Sequence, residues 1–452
     1  MFSVTSLGFL PFMALFACLW YRVPQPSRWK LVLAANAVFC LSIDIGAFFA
    51  VALATAVVWQ AAQHAQPEQP SRRGWLALGL AAALLPLLVL KYSGMLVPGL
   101  RDLYKPFGLA YYSLQLAGYL LDVWHGRTAP TPSYARLWCY AGFFLSLTQG
   151  PFNRYNTLMP QLEAAPKTFE TQRLVSGLQR SAWGYFKKFA IADRAAIVVS
   201  AAFADPASFD RSQLIFATVM YSFQLYADFS GYTDIVLGMG EILGLHLPEN
   251  FRQPFFSASV KELWARWHIS LSQWFRDYVY IPLGGSRRGK KRMVISLLAV
   301  WLLTGLWHGI TLPFLFWGMY HGVIVLVERF SVKWRMKLPH WGRVAITDLL
   351  AVIGWVFFFS PDLASAFALL GSMFDLTSID VSLAGWVFAN YGAMLAICLI
   401  GCTPLIHRAN AALSARFSWF VWVKPFVYTA LMILCIAFII GSSYQSFLYR
   451  AF

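Results

Sequence analysis

The sequence predicts an all-α polytopic membrane protein, and three observations predict it. The chain has 452 residues, 59% of them hydrophobic. Charged residues make up 12%, against about 25% in a soluble protein. Long uncharged apolar runs recur from end to end, continuous rather than alternating, which marks helices and not barrel strands. Their number predicts roughly eleven spans. No soluble domain, internal repeat or low-complexity tail is visible, so residues 1–452 read as one integral-membrane domain.

The first run, MFSVTSLGFLPFMALFACLWY, lacks a basic n-region and a small-residue cleavage site, so it reads as a retained span. Residues 31–62 are too long for one straight span and short for two; Asp44 and Gly46 predict a break there. After a polar loop at 63–74, spans are expected over 75–90 and 107–124, the second bearing Gln115 and Asp122. Residues 137–147 are apolar and lead into TQGPFNRY. Residues 152–180 are polar, with four basic side chains, and are expected in the cytoplasm. Next come 182–202, with Lys187, Lys188 and Asp193 inside a helical pattern, and 214–245, with DFSGYTD.

Residues 260–278 read as one amphipathic helix. At 100° per residue, Val260, Leu263, Trp264, Trp267, Leu271, Trp274, Phe275 and Tyr278 fall within a sector of about 120°. Glu262, Arg266, Gln273 and Arg276 lie opposite, and His268 sits at the apolar edge. Such a helix suits a membrane interface better than a spanning position. Pro282 and Gly284-Gly285 end it. A basic knot, SRRGKKR, precedes an apolar run that closes on LWHG. Further spans are expected at 307–328, 344–359, 384–406 and 421–440.

Net charge is +16, gathered between the apolar runs. The positive-inside rule explains this better than nucleic-acid binding, because no basic-aromatic soluble module is present. Within 287–292, Arg287, Arg288, Lys290, Lys291 and Arg292 are basic. They read either as a topology anchor or as a landing site for anionic phosphates or an acidic partner. The six cysteines lie in apolar segments without CxxC spacing and read as small buried hydrophobes.

A polar side chain within the membrane asks for a reason. His308 is flanked by apolar sequence on both sides, and His268, Asp193, Asp228, Asp234 and Arg266 are also set in apolar or aromatic surroundings. Burial favours the neutral imidazole, the form that accepts a proton. There is no HExxH, no Cys/His cluster, no GxSxG, no P-loop and no GxGxxG. Metal binding is thus a weak alternative, and serine-hydrolase, ATPase and dinucleotide chemistry have no support, which leaves a histidine-centred reaction.

Ordered segments carry a resemblance: FGLAYYSLQLAGYLLDVWHG (107–126), QGPFNRY (149–155), WGYFKKFAIADR (183–194), DFSGYTDIVLGMGEILGLHLPENFRQPFFS (228–257), RWHISLSQWFRDYVYIPLGG (266–285), LWHG (306–309), WGMYHG (317–322) and SFLYRAF (446–452). With these the chain resembles the membrane-bound O-acyltransferases, most of all the bacterial branch of alginate O-acetyltransferases and teichoic-acid D-alanyl transfer proteins. Phe152-Asn153 departs from the pairs common in relatives. The resemblance implies a ring of tilted helices and interfacial helices around a central tunnel from cytoplasm to outer face. It implies that His308 is catalytic and that His268 is the second functional position. Asp193 matches an acidic residue important in the alginate enzymes, and His321 a further histidine; Arg266 and Trp267 flank His268 as supporting candidates.

The expected reaction moves an acetyl group from cytoplasmic acetyl-CoA towards an extracytoplasmic polysaccharide such as alginate, cellulose or peptidoglycan. His308 would take the acceptor hydroxyl's proton, while His268 or a tryptophan N–H would stabilise the carbonyl oxygen. Arg287, Arg288, Lys290, Lys291 and Arg292 are candidate contacts for the donor's phosphates. No permanently bound cofactor or metal is expected. The resemblance further implies a bacterial inner-membrane location and a separate periplasmic acetyltransferase of the SGNH type as partner. D-alanyl transfer from a carrier protein is the alternative within the family. A transporter or flippase is the alternative outside it, and would predict inverted repeats.

Overall fold

The computed structural model describes residues 3–96, 104–164, 166, 168–309, 311–332, 336–374, 381–403 and 405–441. Helix accounts for 78% of the structure, and no strand occurs among the described residues. Among the described residues, four helices are long and apolar enough to cross a membrane: Ile45–His64, Arg72–Ser93, His340–Phe359 and Trp422–Gly441. Shorter apolar helices cover Phe9–Arg22, Leu363–Phe374 and Tyr391–Gly401. Backbone contacts group the chain into two units, residues 1–181 with 232–249 and residues 182–231 with 250–452.

The first unit begins with α1 (Phe9–Arg22), α2 (Arg28–Ile43), α3 (Ile45–His64), α4 (Arg72–Leu96) and α5 (Leu109–Trp124). The expected break after residue 43 is present. Asp44 is extended, and its carboxylate accepts from Gly46 N at 2.9 Å, capping α3. α6 (Tyr134–Ala141) is shorter than the expected apolar run, and residues 142–147 turn away from helix. That stretch is buried against protein instead of spanning: Asn36 donates to Cys139 O and accepts from Phe144 N, both at 2.9 Å. Such a buried amide tolerates no lipid contact without those partners. Beyond α7 (Tyr155–Ala164) and α8 (Thr171–Phe186), Arg180 binds Glu249 through both terminal nitrogens (2.8 and 2.7 Å) and Asp234 through Nε (3.1 Å). Asp234 is therefore a half-buried ion-pair partner and not an isolated intramembrane charge.

The second unit carries the candidate chemistry. A π-helical turn, Lys187–Ala192, leads into α9 (Asp193–Ala204). The 32-residue α10 (Arg211–Ile242) contributes residues up to Gly231. Lys188 Nζ lies 2.8 Å from Asp193 Oδ1 and 2.6 Å from Asp228 Oδ1, all three buried. Gly231 lets the helices meet, since an added Cβ would lie 2.8 Å from Gly184 O. After α11 (Val260–Arg266) and α12 (Ile269–Phe275) come α13 (Gly289–His308), α14 (Leu312–Phe330), α15 (His340–Phe359), α16 (Leu363–Phe374), α17 (Val381–Gly401), α18 (Leu405–Arg416) and α19 (Phe420–Gly441). A core of aromatic and aliphatic side chains from α9, α10, α14, α15 and α16 fills this unit. The motif SFLYRAF at 446–452 lies outside the described residues.

Candidate active site

The single helix expected over 260–278 is two helices and a π-turn, Arg276–Tyr280. α11 starts well: Ser259 accepts from Glu262 N at 3.0 Å, and Glu328 of α14 accepts from Val260 N and Lys261 N at 2.9 and 3.0 Å. It stops because residues 250–252 compete for its backbone. Trp267 is extended and bridges Phe251; Arg252 N donates to Arg266 O at 3.0 Å and Ile269 N to Asn250 O at 3.1 Å. The Asn250 carboxamide oxygen also accepts from Ser270 N (3.1 Å) and Ser270 Oγ (2.6 Å). His268 is left at φ 45°, ψ 53°, a left-handed conformation that costs a non-glycine residue about 1–3 kcal/mol and concentrates at functional sites. The amphipathic pattern was real, but tertiary backbone bonds outcompeted helix continuation at its centre.

His308 is the last residue of α13. Its placement depends on small residues where α13 meets α14. An added Cβ on Gly318 would lie 2.4 Å from Trp301 O, and one on Gly305 2.6 Å from Phe314 O. This approach sets the Trp317 ring 5.1 Å from the His308 ring, nearly perpendicular at 87°. Phe358 of α15 packs on His308 at 5.1 Å. Trp307 stands between the two histidines, 4.8 Å from the His308 ring and 6.0 Å from that of His268.

His268 and His308, forty residues apart in sequence, line one cavity of about 350 Å³. Trp267 lines it too, beside Trp264, Trp317 and Trp355. Lys261 and Arg276 bring positive charge, and none of the described residues lining it is Asp or Glu. The volume is at the small end for ligand sites.

The other expected site residues fall elsewhere. His321 is fully buried beside the cavity, boxed by Trp264 (4.9 Å), Trp301 (5.6 Å) and Trp317 (5.3 Å), and neither ring nitrogen has a hydrogen-bond partner among the described residues. Gly354 makes room for it: a Cβ there would meet Nε2 at 2.6 Å. Arg266 is half-exposed and pairs with Glu262 one turn earlier, so it is not set in apolar surroundings as the sequence suggested. Asp193 is absent from the cavity lining and neutralises Lys188. Arg287, Arg288, Lys290, Lys291 and Arg292 are all exposed, and the last three open the first turn of α13.

Several participants escaped the sequence reading. Asn250 was visible within LPENF, but nothing local announced its bonds to Ser270. Trp317 lies within the WGMYHG motif, where His321 drew the attention. Trp301 and Trp355 looked like ordinary span residues, and only packing brings them to the cavity.

The arrangement is a histidine pair in an aromatic pocket with no carboxylate among the described lining residues, able to move a proton beside a carbonyl group. The model of the MBOAT, membrane-bound O-acyltransferase family matches residues 93–369, more than half the chain. A probable alginate O-acetylase of Pseudomonas putida is 33% identical over 404 residues, covering 84% of this chain and 81% of the relative. A peptidoglycan O-acetyltransferase of Helicobacter pylori is 30% identical over 357 residues, covering 70% and 68%. A teichoic acid D-alanyltransferase of Bacillus subtilis is 28% identical over 322 residues, covering 67% and 81%. The chain is an O-acyltransferase and belongs to the membrane-bound O-acyltransferase family.

Proposed function

We propose that this protein transfers an acetyl group from cytoplasmic acetyl-CoA to a hydroxyl destined for an extracytoplasmic polysaccharide. The observation that carries the choice of acyl group is the cavity lining: two histidines, indole rings, Lys261 and Arg276, with no carboxylate among the described lining residues. A neutral acetyl thioester suits that lining. A D-alanyl group brings an ammonium that finds no carboxylate among the described lining residues, where Arg276 is already paired with Asp277 and Lys261 adds a further cation.

In this reading His308 takes the proton of the attacking hydroxyl, an effect worth about 10²–10⁴-fold in general-base catalysis. His268, held in place by its own strained backbone, orients the donor. Trp267 and the surrounding rings exclude water and so limit hydrolysis of the thioester. His321 and Asp193 support the site from behind, through the tryptophan box and through Lys188. Arg266 steadies α11 through Glu262. The basic run at the start of α13 receives the donor's phosphates: three cations stand where the helix dipole is itself positive, an arrangement that an anion relieves.

The wider reading is a multi-pass protein of the bacterial inner membrane, one domain of about eleven tilted helices around a tunnel. A separate periplasmic acetyltransferase of the SGNH type takes the acetyl group onward. The names of the alginate and peptidoglycan enzymes among its relatives support a polysaccharide acceptor.

The test uses the full chain in nanodiscs, with thiol release from acetyl-CoA compared with that from a D-alanyl carrier protein. Acetyl-CoA is expected to be the substrate, and His308→Ala is expected to lower turnover to background while expression stays intact. Turnover retained in His308→Ala would sink the assignment of the base. A preference for the D-alanyl carrier would sink the choice of donor.

A further inference from the structure

The tryptophans that line the cavity are more than filler. An indole offers one donor and no acceptor. A buried N–H left without a partner costs about 1–3 kcal/mol, so in a native protein it calls for a ligand or a water. Three cavity residues, Trp264, Trp317 and Trp355, have a buried Nε1 with no hydrogen-bond partner among the described residues. Of these, Trp317 is in ring contact with His308, at 5.1 Å.

Trp317 is also firmly held. It is 1% exposed. Its ring packs at 5.4 Å on Trp264, 6.1 Å on Trp355 and 5.1 Å on Phe358. The next residue, Gly318, locks its backbone against Trp301 O. A donor so fixed needs no reorganisation when charge appears before it, which is the condition for strong electrostatic stabilisation.

We propose that the Trp317 indole N–H is the donor that binds the thioester carbonyl oxygen and stabilises the negative charge it acquires during acyl transfer. The inference rests on the acyl-transfer reading above and adds a catalytic residue to it. The acceptor oxygen bonds to the carbonyl carbon as its proton passes to a ring nitrogen of His308. The carbonyl π pair moves onto oxygen, where the indole N–H meets it. When that pair returns, the carbon–sulfur bond breaks, and the thiolate takes the proton back from His308. The products are an ester and a free thiol, with no other reactant needed.

The experiment compares replacements of Trp317 that separate shape from hydrogen bonding, in the full chain in nanodiscs with acetyl-CoA as donor. β-(3-Benzothienyl)alanine keeps the ring shape and has no N–H; 5-fluorotryptophan keeps both; Trp317→Phe loses both. The benzothienyl and Phe variants are expected to lose about 10²–10³-fold in kcat, the loss typical of one oxyanion donor, with KM for acetyl-CoA within about 2-fold, because the ground-state carbonyl gains little from the bond. The 5-fluorotryptophan protein should retain wild-type turnover. Equal activity of the benzothienyl and fluorotryptophan proteins overturns the proposal, as does a loss confined to KM. A Phe variant that fails to fold leaves the isosteric pair to decide. If the wild type turns over a D-alanyl carrier instead, the donor reading fails while the same Trp317 comparison, run on that thioester, still decides this one.

Discussion

Replacing Lys188 by Met removes one charge from a site that holds it between two carboxylates. Methionine keeps the length and apolar stem, so packing is largely preserved. The ammonium lies 2.8 Å from Asp193 and 2.6 Å from Asp228, and the three side chains are 2–4% exposed. At an effective dielectric of about 20, each contact is worth roughly 6 kcal/mol of attraction. Desolvation of the three ions offsets much of this in the native protein, but the desolvation cost of the two buried carboxylates remains when the cation alone is removed. Breaking a buried pair in this way destabilises by about 3–5 kcal/mol, a large share of a typical stability of about 5–15 kcal/mol. The assay is reversible denaturation of the full chain in detergent, followed by tryptophan fluorescence. Lys188→Met should lose about 3–5 kcal/mol, and the triple variant with Asp193→Asn and Asp228→Asn should recover most of it, since no buried charge is then left unpaired. A single variant within about 0.5 kcal/mol of wild type would refute the reasoning. So would a triple variant no more stable than the single one. Substantial turnover in folded Asp193→Asn would place that aspartate in the lock rather than against substrate.

Asn250→Ala removes the oxygen that holds Ser270 N and Oγ. Misplacing His268 by about 1 Å should lower kcat by about 10–100-fold with helix content by circular dichroism unchanged; a loss under about 2-fold would show that His268 does not depend on it. Converting Arg287, Arg288, Lys290, Lys291 and Arg292 to Gln should raise KM for acetyl-CoA by about 10-fold, more than it alters kcat, and flatten the dependence of KM on salt. An unchanged KM would assign these cations to topology alone.

Much of the architecture was legible because lipid leaves a helix few alternatives. The break at Asp44 followed from run length together with a residue able to cap. The runs at 344–359 and 421–440 followed from hydropathy, and the structure has apolar helices at His340–Phe359 and Trp422–Gly441. Hydropathy failed where an apolar segment is buried in protein: residues 137–147 carry the composition of a span and fold as a short helix and a turn. The twelve residues of α16 were too few to signal a helix.

Their apolar surroundings brought His268 and His308 to notice, and the family motifs, strong through their order along the chain, implied their roles. What joins the two histidines is tertiary. A periodic stripe from Val260 to Tyr278 predicts one helix, because helical pattern is local. Asn250 and Arg252 break it with backbone bonds from outside the pattern, and His268 takes a left-handed conformation as a result. Likewise no spacing reveals that Gly305 and Gly318 let α13 and α14 close until Trp317 meets His308. The sequence alone thus determined a helical membrane protein and its family, and singled out His268 and His308 as candidates. Only the folded chain decided which tryptophans face those histidines, because contacts across helices depend on how closely the backbones approach and not on the order of residues along them.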